Sequence, residues 1–484
     1  MPPSTALPTS IPQTLFDKLW ASHEVHRLPD QSSILYLDRI FMHERTGSIA
    51  LTSLAERGRD VRNPAHVFCT MDHIIDTYPG RNDKTLMPGG TEFITTTRQA
   101  TQAAGIRLFD INDPDQGISH LVSAEQGISL PGLSMVCPDS HTSTLGALGA
   151  LAWGIGSSDC EQALATETLR VNKPRQMRVR CEGELATGVS AKDLILYLIG
   201  RFGAAGGERT ALEFTGPVID ALPMDARFTL CNMATEFSAF AGLIAPDTTT
   251  IDYVAGRPYA PTGTNWERAV AHWGDLYTDD DANFDIEQVI DCNEISPMIS
   301  WGTSPAHSIG VLDKVPTDHS PTLDAAELRK ATDYMALQPG QSLFGLPIQG
   351  AFIGSCTNGR LADLEAAASI LRHQKVAPDV KAVCTPGSMA VKHAAEAAGI
   401  DQIFKAAGFE WREPGCSLCF FAGGEGFEAG ERTISTTNRN FEGRQGRGVR
   451  THISSPVMVA AAAIAGKIVD CREYMVEHRE HTDE

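Results

Sequence analysis

In the stretch PGCSLC, residues 414–419, Cys416 and Cys419 stand a single turn apart between a proline–glycine pair and an apolar run. A C-x-x-C can be a redox pair, half of a zinc site, part of an iron–sulfur ligand set or two unrelated thiols. A redox pair belongs at the start of a helix after the first strand of a small domain, and this one lies far downstream. Structural zinc needs a second C-x-x-C or a paired histidine motif at short range, and the sequence has neither. Two inert core thiols stay open as a reading, because free cysteine is often buried. A third cysteine changes the weighing. Cys356, in GSCTNGR, ends the strand-like AFIGS, and the carboxyl end of a strand is where ligands collect in open α/β sheets. PGCSLC follows 60 residues later, after what reads as another strand–helix passage that would return it to the same edge. Three thiolates converging there suit an iron–sulfur cluster. A cubane normally takes four cysteines, so three leave one iron open to water or substrate as a Lewis acid.

The elements needed to hold such a site are legible as alternating strands and helices. GLSMVC (132–137) reads as a strand and SDCEQALATETLRV (158–171) as a helix. QMRVRCEG (176–183) alternates like a strand, and SAKDLILYLIGRFG (190–203) is a serine-capped amphipathic helix. GAFIGSC (350–356), RLADLEAAASILRH (360–373) and VKAVCTPG (380–387) repeat the order strand, helix, strand, and the alternation predicts parallel α/β layers. Residues 313–345, rich in proline and polar side chains, read as a linker.

A chain of 484 residues predicts two to four packed units. The formal charge of −20 gives no general footprint for nucleic acid and argues against docking on an anionic membrane. A few local arginines can still dominate a cleft. The start, MPPSTALPTSIPQT, has no basic residue and no apolar core, so it reads as a disordered lead-in rather than a signal or transit peptide. No stretch approaches a membrane span. Eleven cysteines scattered along the chain do not look like a disulfide framework, which points to a reducing cytoplasm.

GSCTNGR, FEWREPGCSLC and STTNRNFEGRQGRG together resemble the aconitase superfamily, and most closely its isopropylmalate dehydratase (isopropylmalate isomerase) large subunits. The likeness runs from TLFDKLW (14–20) to MVAAAAIAGKIVD (458–470) and includes TMDH (70–73), GISH (117–120), PDSHT (138–142) and TLCNMATE (229–236). The resemblance implies three α/β domains around one 4Fe-4S cluster, ligated by Cys356, Cys416 and Cys419, with one iron free of cysteine. On that frame domain 1 spans 14–175 after a lead-in at 1–13, and domain 2 spans 176–312. Domain 3, with the cluster cysteines, spans 346–484 beyond the linker.

It also implies a hydro-lyase that dehydrates and rehydrates a 2-substituted malate, converting 2-isopropylmalate to 3-isopropylmalate in leucine biosynthesis. Such a reaction needs an acid for the departing hydroxyl, a base for the adjacent proton and fixed cations for the carboxylates. The resemblance gives Asp72 and His73 the proton delivery. His120 with Asp139, and His141 with Glu236, become carboxylate–imidazole pairs around the reacting oxygens. Arg439 and Arg444 offer forked donors for carboxylates, and Asn232 and Asn438 match asparagines near the cluster. His43 falls where aconitases themselves carry glutamine, and Ser140 is placed to touch a substrate carboxylate. The base, a serine with its arginine, belongs in the family to a fourth, swivelling domain. No motif here resembles it, so we expect a small swivel-domain subunit to supply it. Some stretches depart from the family pattern, among them CSLCFFAGGEGFEAGER after the last ligand, PGSMAVK and CTNGR. They leave homoaconitate, citraconate or methylmalate, and other alkyl or aryl malates open as substrates. An iron-responsive RNA-binding protein is the reading from a different class.

Overall fold

Three parallel sheets carry the chain in this computed structural model, which describes residues 11–318, 323–421 and 424–476. The first has five strands in the spatial order Arg107–Phe109, Val67–Thr70, Arg39–His43, Ser134–Cys137, Leu151–Gly154. Its inner runs, VFCT and SMVC, are buried at every position, as strands covered on both faces must be. From Arg39–His43 the chain moves to one side and later returns to the other, so the ends of three central strands, at His43, Thr70 and Cys137, lie side by side. The third sheet repeats the device with Glu410–Trp411, Lys381–Cys384, Gly350–Ile353, Arg432–Ser435 and Arg450–Ile453, all parallel. Here the switch strand is Gly350–Ile353, and Cys356 follows it. The middle sheet, in the order Ala241–Leu243, Ala211–Thr215, Gln176–Glu182, Ile286–Asp291, supports the other two.

Buried apolar side chains form one continuous core through the first and middle sheets and a second around the third. The helix Ala191–Phe202 opens on the capping box of Ser190 and Asp193, and its Leu194, Ile195, Leu198 and Ile199 lie in the first of these cores. The second core closes over the helix Pro456–Ala465, whose run from Pro456 to Ala463 is buried throughout. All eleven cysteines are free and buried. Among the described residues no helix is long and apolar enough to cross a membrane.

Two stretches differ from their sequence reading. The helix expected over 158–171 runs only over Ser157–Thr166. Glu167 then turns left-handed at φ +54°, and Thr168–Asn172 is a strand antiparallel to Ser32–Tyr36. The β-branched Thr168 and Val171 suit that edge better than a helical turn. Residues 313–345, read as a linker, contribute to the second core. Asp324 caps a helix at Ala325–Met335 that buries Leu328, Ala331 and Met335, beside Val315, Leu337 and Leu343. The prolines and polar residues masked a helical i, i+3, i+7 apolar spacing. Of the lead-in expected at 1–13, residues 1–10 lie outside the described ones, while Gln13 is tied down, its N–H donating to Asp279 Oδ2 at 2.8 Å.

Candidate active site

The carboxyl edges of the first and third sheets face each other across a cavity of about 300 Å3. From the first sheet come His43 and Arg45, His73, and the run Pro138–His141. From the third come Cys356, Cys416, Cys419, Phe420, Asn438, Arg439 and Arg444. His120 enters on the helix Ser119–Glu125. Asp72 and Glu236 stand directly behind His73 and His141, and Asn232 behind Cys356. Every site residue expected from the sequence is therefore brought to one place.

Asp139 is the hub of the polar network. His73 Nε2 lies 3.2 Å from its Oδ2, while His120 Nε2 and His141 Nδ1 lie 3.1 and 3.5 Å from its Oδ1. Burial opposes ionisation of Asp139, but the charge of His120, first among the three imidazoles that surround it, holds the carboxyl well below its ordinary range. The other nitrogen of His73, Nδ1, meets Asp72 Oδ1 at 2.5 Å. Burial disfavours the His73 cation, yet the Asp72 carboxylate more than offsets it, and the imidazole is raised well above its usual pKa. His141 Nε2 meets Glu236 Oε1 at 2.9 Å, and Arg439 Nε donates to the same oxygen at 2.8 Å. His43 stacks on His73 with ring centroids 4.1 Å apart. Burial, then the charge of His73, lowers His43 to about 4, so it remains neutral beside its cationic neighbour.

Around the cysteines the donors point at sulfur. Asn232 Nδ2 and Asn438 Nδ2 aim at Cys356 Sγ at 3.2 and 3.4 Å, and Arg444 Nη2 at Cys419 Sγ at 3.7 Å. Burial pushes the Cys356 thiol up to about 12 and Cys416 upward as well, so both would keep their protons as free thiols and accept poorly. Thiolates bonded to metal would accept these N–H groups, and the donor set fits an iron–sulfur centre. The loops that present the cysteines are held in an unusual backbone conformation: Ser355 and Ser417, each next to a cysteine, take positive φ of 77° and 46°. Gly354, at φ +154°, has no room for a side chain, since a Cβ there would lie 2.7 Å from the Thr385 carbonyl oxygen.

Three buried charges shape these loops and escaped the sequence reading. Glu44 accepts the backbone N–H groups of Asp72, His73 and Ile74, the last two at 2.8 and 2.5 Å. Burial, with the charge of Asp72, raises its pKa to about 7 despite those donors. Lys192 Nζ donates to Thr436 O, Thr437 O and Asn358 Oδ1 at 2.7, 2.9 and 3.1 Å, fixing the segments that lead into Asn438 and out of Cys356. Glu425 accepts from Thr77 N at 2.5 Å, Ser417 Oγ at 2.7 Å and Arg412 Nη1 at 2.7 Å, which ties the first sheet's loop to the C-x-x-C. The available signals were position alone: Glu44 directly follows His43, and Glu425 follows the C-x-x-C by six residues.

A family model described as "Aconitase family (aconitate hydratase)" matches residues 17–466. A protein of Bradyrhizobium diazoefficiens named "3-isopropylmalate dehydratase large subunit 1" is 50% identical over 463 residues, 95% of this chain and 96% of that protein. Among solved structures, the holo-form of aconitase X from Thermococcus kodakaraensis aligns with a TM-score of 0.45 and 12% identity, covering 84% of each chain.

Proposed function

Because this chain belongs to the aconitase family, we propose that it is the cluster-bearing large subunit of a hydro-lyase that isomerises 2-isopropylmalate to 3-isopropylmalate in leucine biosynthesis. The observation that carries the reading is the single cavity onto which three cysteines, three acid-paired histidines and the arginines open. A 4Fe-4S cluster held by Cys356, Cys416 and Cys419 would supply Lewis acidity at its iron without a cysteine ligand, drawing electrons from the substrate hydroxyl.

The remaining work falls to the chain's own side chains. His73 holds a proton at Nε2, stabilised by Asp72 at Nδ1, for the departing hydroxyl. His120 and His141, fixed by Asp139 and Glu236, orient the oxygens around the reacting carbon. Arg444, whose Nε is buried without a hydrogen-bond partner, receives a substrate carboxylate. The proton on the neighbouring carbon goes to a serine base on a small swivel-domain subunit, a partner supported by the relative's designation as a large subunit. Closing that subunit over the cavity excludes water from the intermediate.

The test is to load the chain anaerobically with iron and sulfide, pair it with a candidate small subunit and follow the unsaturated intermediate by ultraviolet absorbance. Turnover of either isopropylmalate only when both chains are present is the expected result. Turnover of another 2-substituted malate instead would change the substrate and keep the mechanism. No turnover of any malate, with tight RNA binding by the metal-free chain, would replace the enzymatic reading altogether.

A further inference from the structure

Arg45 leaves the end of the strand Arg39–His43 two residues after His43 and lines the same cavity. Its guanidinium lies over the ring of Phe420, with Cζ 4.3 Å from the centroid, and Arg444 Cζ lies 5.2 Å from the same centroid. Among the described residues the Arg45 side chain meets no carboxylate and donates no hydrogen bond, so the ring is its only partner. Its neighbours account for their charges differently. Arg439 is committed to Glu236 at 2.8 Å, and Asp72, Asp139 and Glu236 each face an imidazole. Arg444 has its Nε free; its guanidinium lies over the rings of Phe420 and Phe441 and makes a long contact to Cys419 Sγ, but meets no carboxylate among the described residues. A malate brings two carboxylates into this space, and of the three arginines lining it only Arg45 and Arg444 meet no carboxylate among the described residues.

We propose that Arg45 is a substrate-binding residue that grips one carboxylate of the dianionic substrate while Arg444 grips the other, with Phe420 as the platform that holds the two forks apart. The ring carries the guanidinium without hydrogen-bonding it, so the donor edges stay free and little conformational entropy is lost when a carboxylate arrives. This inference rests on the proposed hydro-lyase only so far as the substrate is a malate-type dianion, not on which malate it is.

Calorimetric titration of the cluster-loaded chain reads it directly, with malate as the dianion and lactate as the same hydroxy acid lacking one carboxylate. Arg45→Gln should weaken malate binding about 10–100-fold, the scale of a lost charge-assisted pair, and leave lactate binding unchanged. Arg45→Lys should fall between, keeping charge and losing the fork. The salt dependence of malate binding should flatten in the Gln variant, which a role confined to packing on Phe420 would not cause. Iron content and melting temperature serve as controls, and if the Gln variant fails them the Lys variant carries the measurement. Unchanged malate affinity and salt dependence in the variants, or no malate binding by the parent, would overturn the proposal. Failure of the proposed function reads separately, as absence of isopropylmalate turnover by the two-subunit complex while Arg45 still controls malate binding.

Discussion

Around Asp139, protonation is shared among residues rather than owned by one. Its carboxylate lies within 3.5 Å of three imidazole nitrogens, and Asp72 and Glu236 balance two of those rings from behind. Asp72→Asn or His73→Gln should therefore lower kcat by roughly 10²–10⁴-fold and leave iron content unchanged, since proton delivery matters mainly in the transition state. Near-normal turnover in both variants would place the acid elsewhere. The His141–Glu236 pair gives a signed expectation. Burial disfavours the His141 cation, the Glu236 carboxylate overrides it, and the folded-state pKa ends above 6.5. That contribution to stability is fully present below pH 6.5 and is lost as pH rises through the raised folded value. Glu236→Gln leaves burial and Arg439, both of which oppose the cation, so His141 should titrate at lower pH than in the parent. Nuclear magnetic resonance of labelled histidines checks this, and an unmoved titration would rule out Glu236 as the cause. Cys419→Ser should sharply reduce iron retained after reconstitution. Cys69→Ser, in the strand Val67–Thr70 of the first sheet, should leave iron content unchanged. Equal iron in the two variants would sink the ligand assignment.

At the scale of elements, the loops hold their shape against local preference, and buried charges supply the restraint. Lys192 rises from the helix Ala191–Phe202, and burial lowers its pKa to about 8. Lys192→Met would strand the Thr436 and Thr437 carbonyls, at a cost of about 1–3 kcal/mol for each unsatisfied group. We expect a lower melting temperature and weaker iron retention, although Lys192 is not among the residues lining the cavity. A variant matching the parent in both would mean that the loops are held by their own packing. The strands that deliver the site were legible because a buried parallel strand reads as an unbroken apolar run, as in GAFI before Cys356. The acid–imidazole pairs and cysteines were legible as ordered motifs. Lys192 and Glu44 were not, because their work is done through backbone groups that sequence does not distinguish. Arg45 was hidden for another reason: its partner, Phe420, stands 375 residues further along the chain. Helix ends were missed where a single residue decided them, as Glu167 does by turning left-handed.

For the whole molecule, the site is a seam between parts remote in sequence. The Cys416 N–H donates to the Asp72 carbonyl at 2.8 Å, the Glu413 N–H donates to the Thr77 carbonyl at 2.7 Å, and Glu425 grips Thr77. The resemblance across nearly the whole chain pointed to three sheets and one centre, but the closure of the seam depends on contacts that only the folded chain displays. Thr77 and Glu425 are 348 residues apart. At ordinary elongation rates of about 5–20 residues per second, the ribosome needs some tens of seconds to pass from one to the other. For nearly all of that interval Asp72 and His73 are already synthesised, while the C-x-x-C that will stand against them has yet to be made. On the proposed ligand set, iron delivery would be a late event in the life of the chain: a nascent polypeptide stalled between residues 356 and 416 offers a single cysteine of the three.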